Sequence, residues 1–489
     1  MNAASDFAWE EATLAGLGSA FDDGSLTARA LTESYLARIE AMDGAGPELR
    51  SVIEINPDAL GIADALDGER RGGHLRGPLH GVPILVKDNL DTADRMHTTA
   101  GSLALVDARP PRDAPVIERL RAAGAIVLGK ANMSEWANFR SSHASSGWSA
   151  RGGQCRNAYA LDRSPCGSSS GSGVAVAANL CAAAIGTETD GSIVCPSSLS
   201  GIVGIKPTVG LVEAAGVVPI SHSQDTAGPM ARTVADAAAL LSAIASRPLE
   251  VTGDPGALKG ARIGVARNMA GFHEQVDGLF EEALAALRAA GVEVIDPVDV
   301  PHATELEEPE WEVLLYEFKA GIETYLGALE GDAPRSLADL VAFNEVHRDE
   351  ELRFFGQDLF EKAQAKGPLT EPAYLEALTT SRRLSREEGL DEAFTSSGVD
   401  AIVAPSGGPA WLIDHVNGDH YVGGNSSPAA VSGYPSITVP MGLISGLPIG
   451  ISFLGRAWSE GRLIDLAAAF ERSTPARRVP RFLATVEQD

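Results

Sequence analysis

Three strings carry side chains that could act together on a carbonyl group: HGVPILVKDN, with a lone Lys87; CGSSSGSGVAVAANL, beginning at Cys166; and GTETDGSIVCPSS, beginning at Gly186. Serine is a weak nucleophile at neutral pH and needs a group that takes its proton. Lys87 follows the apolar run Pro83–Val86, where the end of a buried strand is expected. Desolvation there would lower an amine from its usual ~10.4 towards neutrality, the form that accepts a proton. A strand-end cation paired with Asp88 is the competing reading. The serine-rich loop offers hydroxyls and free backbone N–H groups ahead of a helix, suited to proton relay and anion stabilisation. Gly191 and Ser192 would let successive N–H groups converge on one point, as an oxyanion hole requires, or would form an ordinary Asp-Gly turn.

Other chemistries fit these strings less well. Gly167 to Gly171 satisfies the G-x-S-x-G elbow with Ser169 at its centre, but an elbow follows a hydrophobic strand, and Asp162, Arg163 and Pro165 break any strand before it. CGSSSGSG lacks the G-K-[ST] ending of a phosphate loop. Ten histidines are available, yet none has a partner that marks it as a base. The four cysteines, Cys155, Cys166, Cys181 and Cys195, lack the C-x-x-C spacing of structural zinc sites. Cys181 reads as a small buried hydrophobe, and Cys166 and Cys195, which flank the serine strings, are lesser candidates for a nucleophile.

The elements that must position these residues read as α/β. VPILVKD and AIVLGKAN are short β-branched runs with the helical pattern APVIERLRAAG between them, an alternation that indicates a largely parallel sheet covered by helices. Residues 25 to 41 predict an amphipathic helix behind a serine cap, and the small residues from Gly171 to Gly186 predict a tightly packed, buried helix. RPLEVTGDPGALKG reads as a linker or long loop. ARIGVAR, DGLFEEALAALRAAG and VEVIDPVDV then form a strand, helix, strand unit, residues 304 to 395 read as helical and acidic, and DAIVAPS with YPSITVPMGLISGLPIGISFLG supplies a strand and a hairpin.

At 489 residues and 44% apolar composition the chain can bury a large core. No apolar run approaches the ~20 residues of a membrane span, and the acidic N-terminal residues do not resemble a secretory signal, so a cytoplasmic protein is expected. A net charge of −27 disfavours a nucleic-acid surface. About half of that excess lies in residues 301 to 400, and reads as a solvated helical face.

In the order and spacing of VPILVKDN, GKANMSEWA, the serine loop with its Ala-rich helix, GTETDGSIVCP, GIVGIKPTVGLV and SQDTAGPMARTVADAA, nearly the whole chain resembles the amidase signature family of serine hydrolases. The resemblance implies a catalytic triad of Lys87, Ser168 and Ser192, with a cis bond before Ser168 and the second serine 24 positions after the first. It places the oxyanion hole on the backbone N–H groups of Thr189, Asp190, Gly191 and Ser192. It implies one α/β domain over 1–489, a central mixed, twisted sheet with helices on both sides. Residues 75–240 would form the catalytic core, about 257–395 a helical, acidic subregion, and 399–489 the strands completing the sheet. Through an acyl-enzyme, such a site converts linear amides to acids and ammonia without a metal or organic cofactor.

Within that family, Glu188, Asp190 and Val194 depart from the commoner TDTGGSIR string. With SEWANFR, GWSARGGQ and LLYEFKAG they are similar to the bacterial peptide amidases, which implies C-terminal peptide amides as substrates. The alternatives are aryl, fatty or aliphatic amides, the ammonia-generating A component of an amidotransferase, or a silent binding protein. Expected partners are a small-molecule or peptide amide, with no nucleic acid and no membrane. Monomer and homodimer both stay open, as do the preferred side chains, and Trp148 and Trp411 are candidate walls of the entrance or plain core residues.

Overall fold

Eleven segments rich in Ile, Val, Leu and Ala pair into one sheet: β1 (Val52–Ile55), β2 (Pro83–Lys87), β3 (Ile126–Ala131), β4 (Ala183–Glu188), β5 (Val203–Lys206), β6 (Thr226–Ala231), β7 (Arg262–Val265), β8 (Glu293–Ile295), β9 (Ala401–Pro405), β10 (Ser436–Ile444) and β11 (Leu447–Leu454). The computed structural model describes residues 7–487. Across the sheet the order is β1-β3-β2-β4-β6-β5-β10-β11-β9-β7-β8. Helices cover it, and every residue of β2, β3, β4 and β6 is buried, as expected of strands covered on both faces.

The strand and helix alternation predicts a largely parallel sheet, and this is corrected at its centre. Parallel pairing is confined to β3-β2-β4 on one side and β9-β7-β8 on the other. Between them β6, β5 and the β10–β11 hairpin pair antiparallel with their neighbours. A hairpin needs only a tight turn, whereas each parallel pair needs a covering crossover. The sheet is therefore mixed.

Two local expectations also change. The Ala-rich stretch after the serine loop is not one helix to Gly186: it is helical from Ser170 to Ala177 and then becomes β4. Asn179 adopts φ 58° and Leu180 N–H reaches back to Ala175 O at 2.8 Å, a left-handed helix ending. Beyond it, ladder pairing with β2 and β6 overrides the helix preference of alanine. The first long helix, Ala28–Met42, starts behind Thr27 rather than Ser25, because Thr27 Oγ1 accepts from Ala30 N–H at 3.1 Å.

The acidic region does more than face solvent. Phe318, Phe360 and Leu314 from its helices pack with Trp136, Phe139 and Met133 in an apolar cluster separate from the main core. That packing carries the first turns of the helix Glu307–Ala328 to the site. Among the described residues no helix is long and apolar enough to cross a membrane.

Candidate active site

β2 and β4 are parallel neighbours with Val86 opposite Ile185, so their carboxyl ends emerge side by side. Lys87 therefore ends β2 beside Thr187. The lysine is fully buried, with Nζ 3.2 Å from Thr187 O, 2.9 Å from Thr187 Oγ1 and 2.8 Å from Ser168 Oγ. Ser168 Oγ in turn lies 3.0 Å from Ser192 Oγ. The three side chains picked out in the sequence thus meet in one line of hydrogen bonds. Burial pulls the Lys87 amine down to about 7, against the opposing pull of the Asp225 and Glu188 carboxylates.

Small residues let the serine loop approach so closely. A Cβ on Gly171 would stand 2.2 Å from Ser51 O and 2.5 Å from Asn132 O, so only glycine allows the helix Ser170–Ala177 to seat against β3 and its flanks. The Gly167–Ser168 peptide is cis, and Ser134 N–H donates to Ser168 O at 3.1 Å. Ser169, the centre of the apparent elbow, has its hydroxyl on Thr187 O at 3.0 Å and on Thr187 N–H at 3.2 Å. It ties the loop to β4.

The turn after β4 is held from both sides. Glu188 accepts from Ile193 N–H at 2.7 Å and Val194 N–H at 3.0 Å through one carboxylate oxygen. Burial raises its pKa, opposed by the charge of Lys206 and by those two donors. Thr189 Oγ1 donates to Asp225 at 2.6 Å, and Asp225 also takes the N–H groups of Ile220 and Ser221. Gly191 turns through φ 76°. Among the described residues, no protein acceptor takes up the N–H groups of Thr189, Asp190, Gly191 or Ser192.

These groups border a cleft of about 650 Å³ that also takes in Phe139, Trp311, Leu314, Trp411 and Tyr421. Phe139 and Trp311 stack with ring centres 5.8 Å apart. Trp411 is at the wall, whereas Trp148 is buried against Phe354 and Phe355. No histidine is among the described residues that line the cleft. Four carboxyl groups are, those of Asp190, Glu307, Glu310 and Asp419; the two that face each other are Asp190, bonded to Ser427 Oγ at 2.7 Å, and Glu310, which accepts from Gln224 Nε2 at 2.7 Å. Burial raises both, and the nearness of each to the other keeps Glu310 well above the ordinary carboxylate range.

Sequence reasoning missed Glu310, Thr187 and the anchoring role of Asp225, although Asp225 lies within the quoted SQDTAGPMA string. It also missed a bond. Cys166 and Cys195 form a disulfide, Cα atoms 6.1 Å apart, that joins the loop before Ser168 to the helix after Ser192. Neither sulfur is then a free nucleophile. Disulfides persist mainly in oxidising compartments, which is in tension with the cytoplasmic expectation.

The profile of the amidase family matches residues 30–464. A probable amidase of Arabidopsis thaliana is 41% identical over 506 residues, spanning 98% of this chain and 93% of that protein. The solved structure of native peptide amidase from Stenotrophomonas maltophilia is 52% identical, with a TM-score of 0.91 over 98% of this chain and 100% of that one. The A component of the glutamyl-tRNA(Gln) amidotransferase of Chloroflexus aurantiacus is 34% identical over 497 residues, 94% of this chain and 96% of that one.

Proposed function

The chain belongs to the amidase family, and from that premise we propose that this hydrolase removes the C-terminal amide of peptides through Lys87, Ser168 and Ser192. What carries the reading is the buried chain Lys87 Nζ, Ser168 Oγ, Ser192 Oγ, with steps of 2.8 and 3.0 Å and an amine near neutrality. A neutral Lys87 has two N–H donors, which Thr187 O and Oγ1 can accept, and a lone pair left for the Ser168 hydroxyl proton. Ser168 then accepts the proton of Ser192, and Ser192 Oγ attacks the carbonyl carbon.

Negative charge growing on the carbonyl oxygen is met by the unspent N–H groups of Thr189 to Ser192. Collapse of the tetrahedral adduct breaks the C–N bond. Ser168 hands the nitrogen its proton, Lys87 resupplies Ser168, and ammonia leaves. Water, deprotonated along the same chain, hydrolyses the acyl-enzyme to the acid and restores Ser192.

Similarity to the Stenotrophomonas peptide amidase at 52% identity across the whole chain supports a peptide amide as the substrate. The aromatic cleft suits the side chain of the terminal residue. The test is a panel of peptide amides, free peptides, anilides and aliphatic amides, read by ammonia release and product mass. Ammonia from peptide amides with every internal bond intact is expected. Preferred turnover of anilides or aliphatic amides would replace the substrate class. The similarity to the A component of an amidotransferase favours a second reading, and ammonia formed only when the B and C components are added would establish it.

A further inference from the structure

Two chambers, each of about 10 Å³, adjoin Asn89, and one of them lies beside the hydroxyl chain. That is about the space one water-sized molecule needs. The first is walled by Asn89, Ser168, Thr187, Thr189, Asp225 and Ala137, and it shares Thr189, Ala137 and Ile220 with the main cleft, so it lies against the cleft beside the relay serine. The second continues past Asn89 and borders Trp136.

Asn89 lines both chambers and is 2% exposed. Its Nδ2 donates to Thr187 Oγ1 at 3.0 Å, while its Oδ1 is buried with no partner among the described residues. The Trp136 indole N–H, on the second chamber, is likewise buried and unpartnered. Buried polar atoms are nearly always paired, so an acceptor left open on a chamber of molecular size marks a place for a small donor.

We propose that the first chamber is the leaving-group site: it receives the substrate nitrogen as –NH2 and holds it as ammonia once the C–N bond breaks, with Asn89 Oδ1 accepting one N–H. This rests on the assignment of Ser192 as nucleophile and Ser168 as relay. Ser192 Oγ bonds to the carbonyl carbon, the C–N bond breaks, and the proton from Ser192 ends on nitrogen by way of Ser168. The products are acyl-Ser192 and NH3. A nitrogen that takes its proton from Ser168 must come within hydrogen-bond reach of that hydroxyl, and Ser168 forms the chamber wall. A volume of about 10 Å³ admits nitrogen with its hydrogens but no alkyl substituent. Internal peptide bonds are then rejected on the leaving-group side, whatever the aromatic cleft accepts.

The test compares one peptide as its amide, N-methylamide and p-nitrophenyl ester, whose aryl oxide leaves without taking a proton and so need not enter the chamber, using wild type, Asn89→Leu and Asn89→Ala. Asn89→Leu removes the acceptor, together with the Nδ2 donor to Thr187 Oγ1, and its bulkier methyls fill the chamber, so it should lower kcat/KM for the amide by about tenfold or more, with ester hydrolysis changed less than about threefold. Asn89→Ala widens the chamber and should narrow the preference for amide over N-methylamide. Ammonia added during ester turnover should capture the acyl-enzyme as peptide amide, and both variants should need more ammonia to do so. Parallel loss of amide and ester activity with unchanged ammonia capture would overturn the proposal, leaving a chamber for water alone. Ester turnover and labelling of Ser192 by a serine-directed probe show that each variant is folded. Wild type that releases ammonia while the variants keep its amide-to-ester ratio defeats this inference alone, whereas wild type without any acyl-Ser192 defeats the triad as well.

Discussion

Acylation should lose rate on the acid side as Lys87 gains a proton, and the position of that limb should respond to a carboxylate that takes no part in the proton relay. With the amine near 7, roughly 90% of the enzyme holds neutral lysine at pH 8, about 10% at pH 6 and about 1% at pH 5. The acylation rate should therefore fall about tenfold from pH 8 to 6 and about ninetyfold from pH 8 to 5. Burial is what lowers the amine, and the negative charges of Asp225 and Glu188 oppose it by favouring the ammonium. Removing one of those charges has a definite sign: Asp225→Asn should move the acid limb to lower pH.

Asp225 is itself pushed up to about 6 by burial, so it loses its charge in the lower half of this range. Wild type and variant should separate above pH 6 and converge below it. Asparagine keeps one acceptor for Thr189 Oγ1 and the Ile220 and Ser221 N–H groups, but its height of activity can change, so the limb's midpoint is the quantity to read. Burst-phase release of product from a peptide amide, followed from pH 5 to 9 at constant ionic strength, supplies it. A limb that stays put in Asp225→Asn, or moves to higher pH, would refute Lys87 as the base; so would acylation undiminished at pH 5.

Four further outcomes are expected. A fluorophosphonate should label Ser192 in wild type and nothing in Ser192→Ala, as peptide mass mapping would read; label on Ser169 would revive the elbow. Lys87→Met should end turnover yet raise the denaturation midpoint at pH 6 to 7, since lowering a buried amine from 10.5 to about 7 costs up to about 5 kcal/mol. That penalty is full below pH 7 and fades as pH rises towards 10.5, so a destabilised Lys87→Met at pH 6 would make the lysine structural. Glu188→Ala leaves the Ile193 and Val194 N–H groups without their acceptor and should cost about 2 kcal/mol of stability and about a hundredfold in kcat, whereas wild-type kcat would show that the turn holds its shape unaided. Replacing Cys166 and Cys195 together by serine frees a 29-residue separation and should lower stability on the order of 3 kcal/mol, with an unchanged denaturant midpoint as the contrary result.

How much of this the sequence displays depends on the range of the interaction. β2, β3, β9 and the β10–β11 hairpin announce themselves as short β-branched runs, because their burial is written in their own residues. β4 does not, since Ala183 and Ala184 are helix formers that become a strand only once β2 and β6 flank them. Lys87 and the two serine strings stand out by type and spacing. Glu310 does not: its place at the cleft depends on an apolar cluster between residues some 180 positions apart, such as Phe139 and Phe318. The Cys166–Cys195 bond was visible only as two cysteines flanking the same motifs, a proximity that sequence leaves without geometry.

Burial alone does not distinguish Lys87 from its neighbours, and that comparison bears on why no histidine is needed. Lys130 and Lys206 are also fully buried on sheet strands. Lys130 gives its protons to Leu90 O at 2.6 Å and Thr98 Oγ1 at 2.8 Å, with Asp88 and Asp91 opposing the effect of desolvation. Lys206 donates to Pro207 O, and Glu188 and Glu460 oppose its fall to about 8. Both amines thus spend their N–H groups on oxygens of adjoining loops and lead to no hydroxyl at the cleft. Lys87 is pulled down to about 7, and one of its partners is a hydroxyl that leads on to a second hydroxyl at the cleft. A base needs a pKa near the working pH and a proton path to the reacting atom. Of the three lysines, only Lys87 has both, and it gets them from the parallel register that sets β2 beside Thr187.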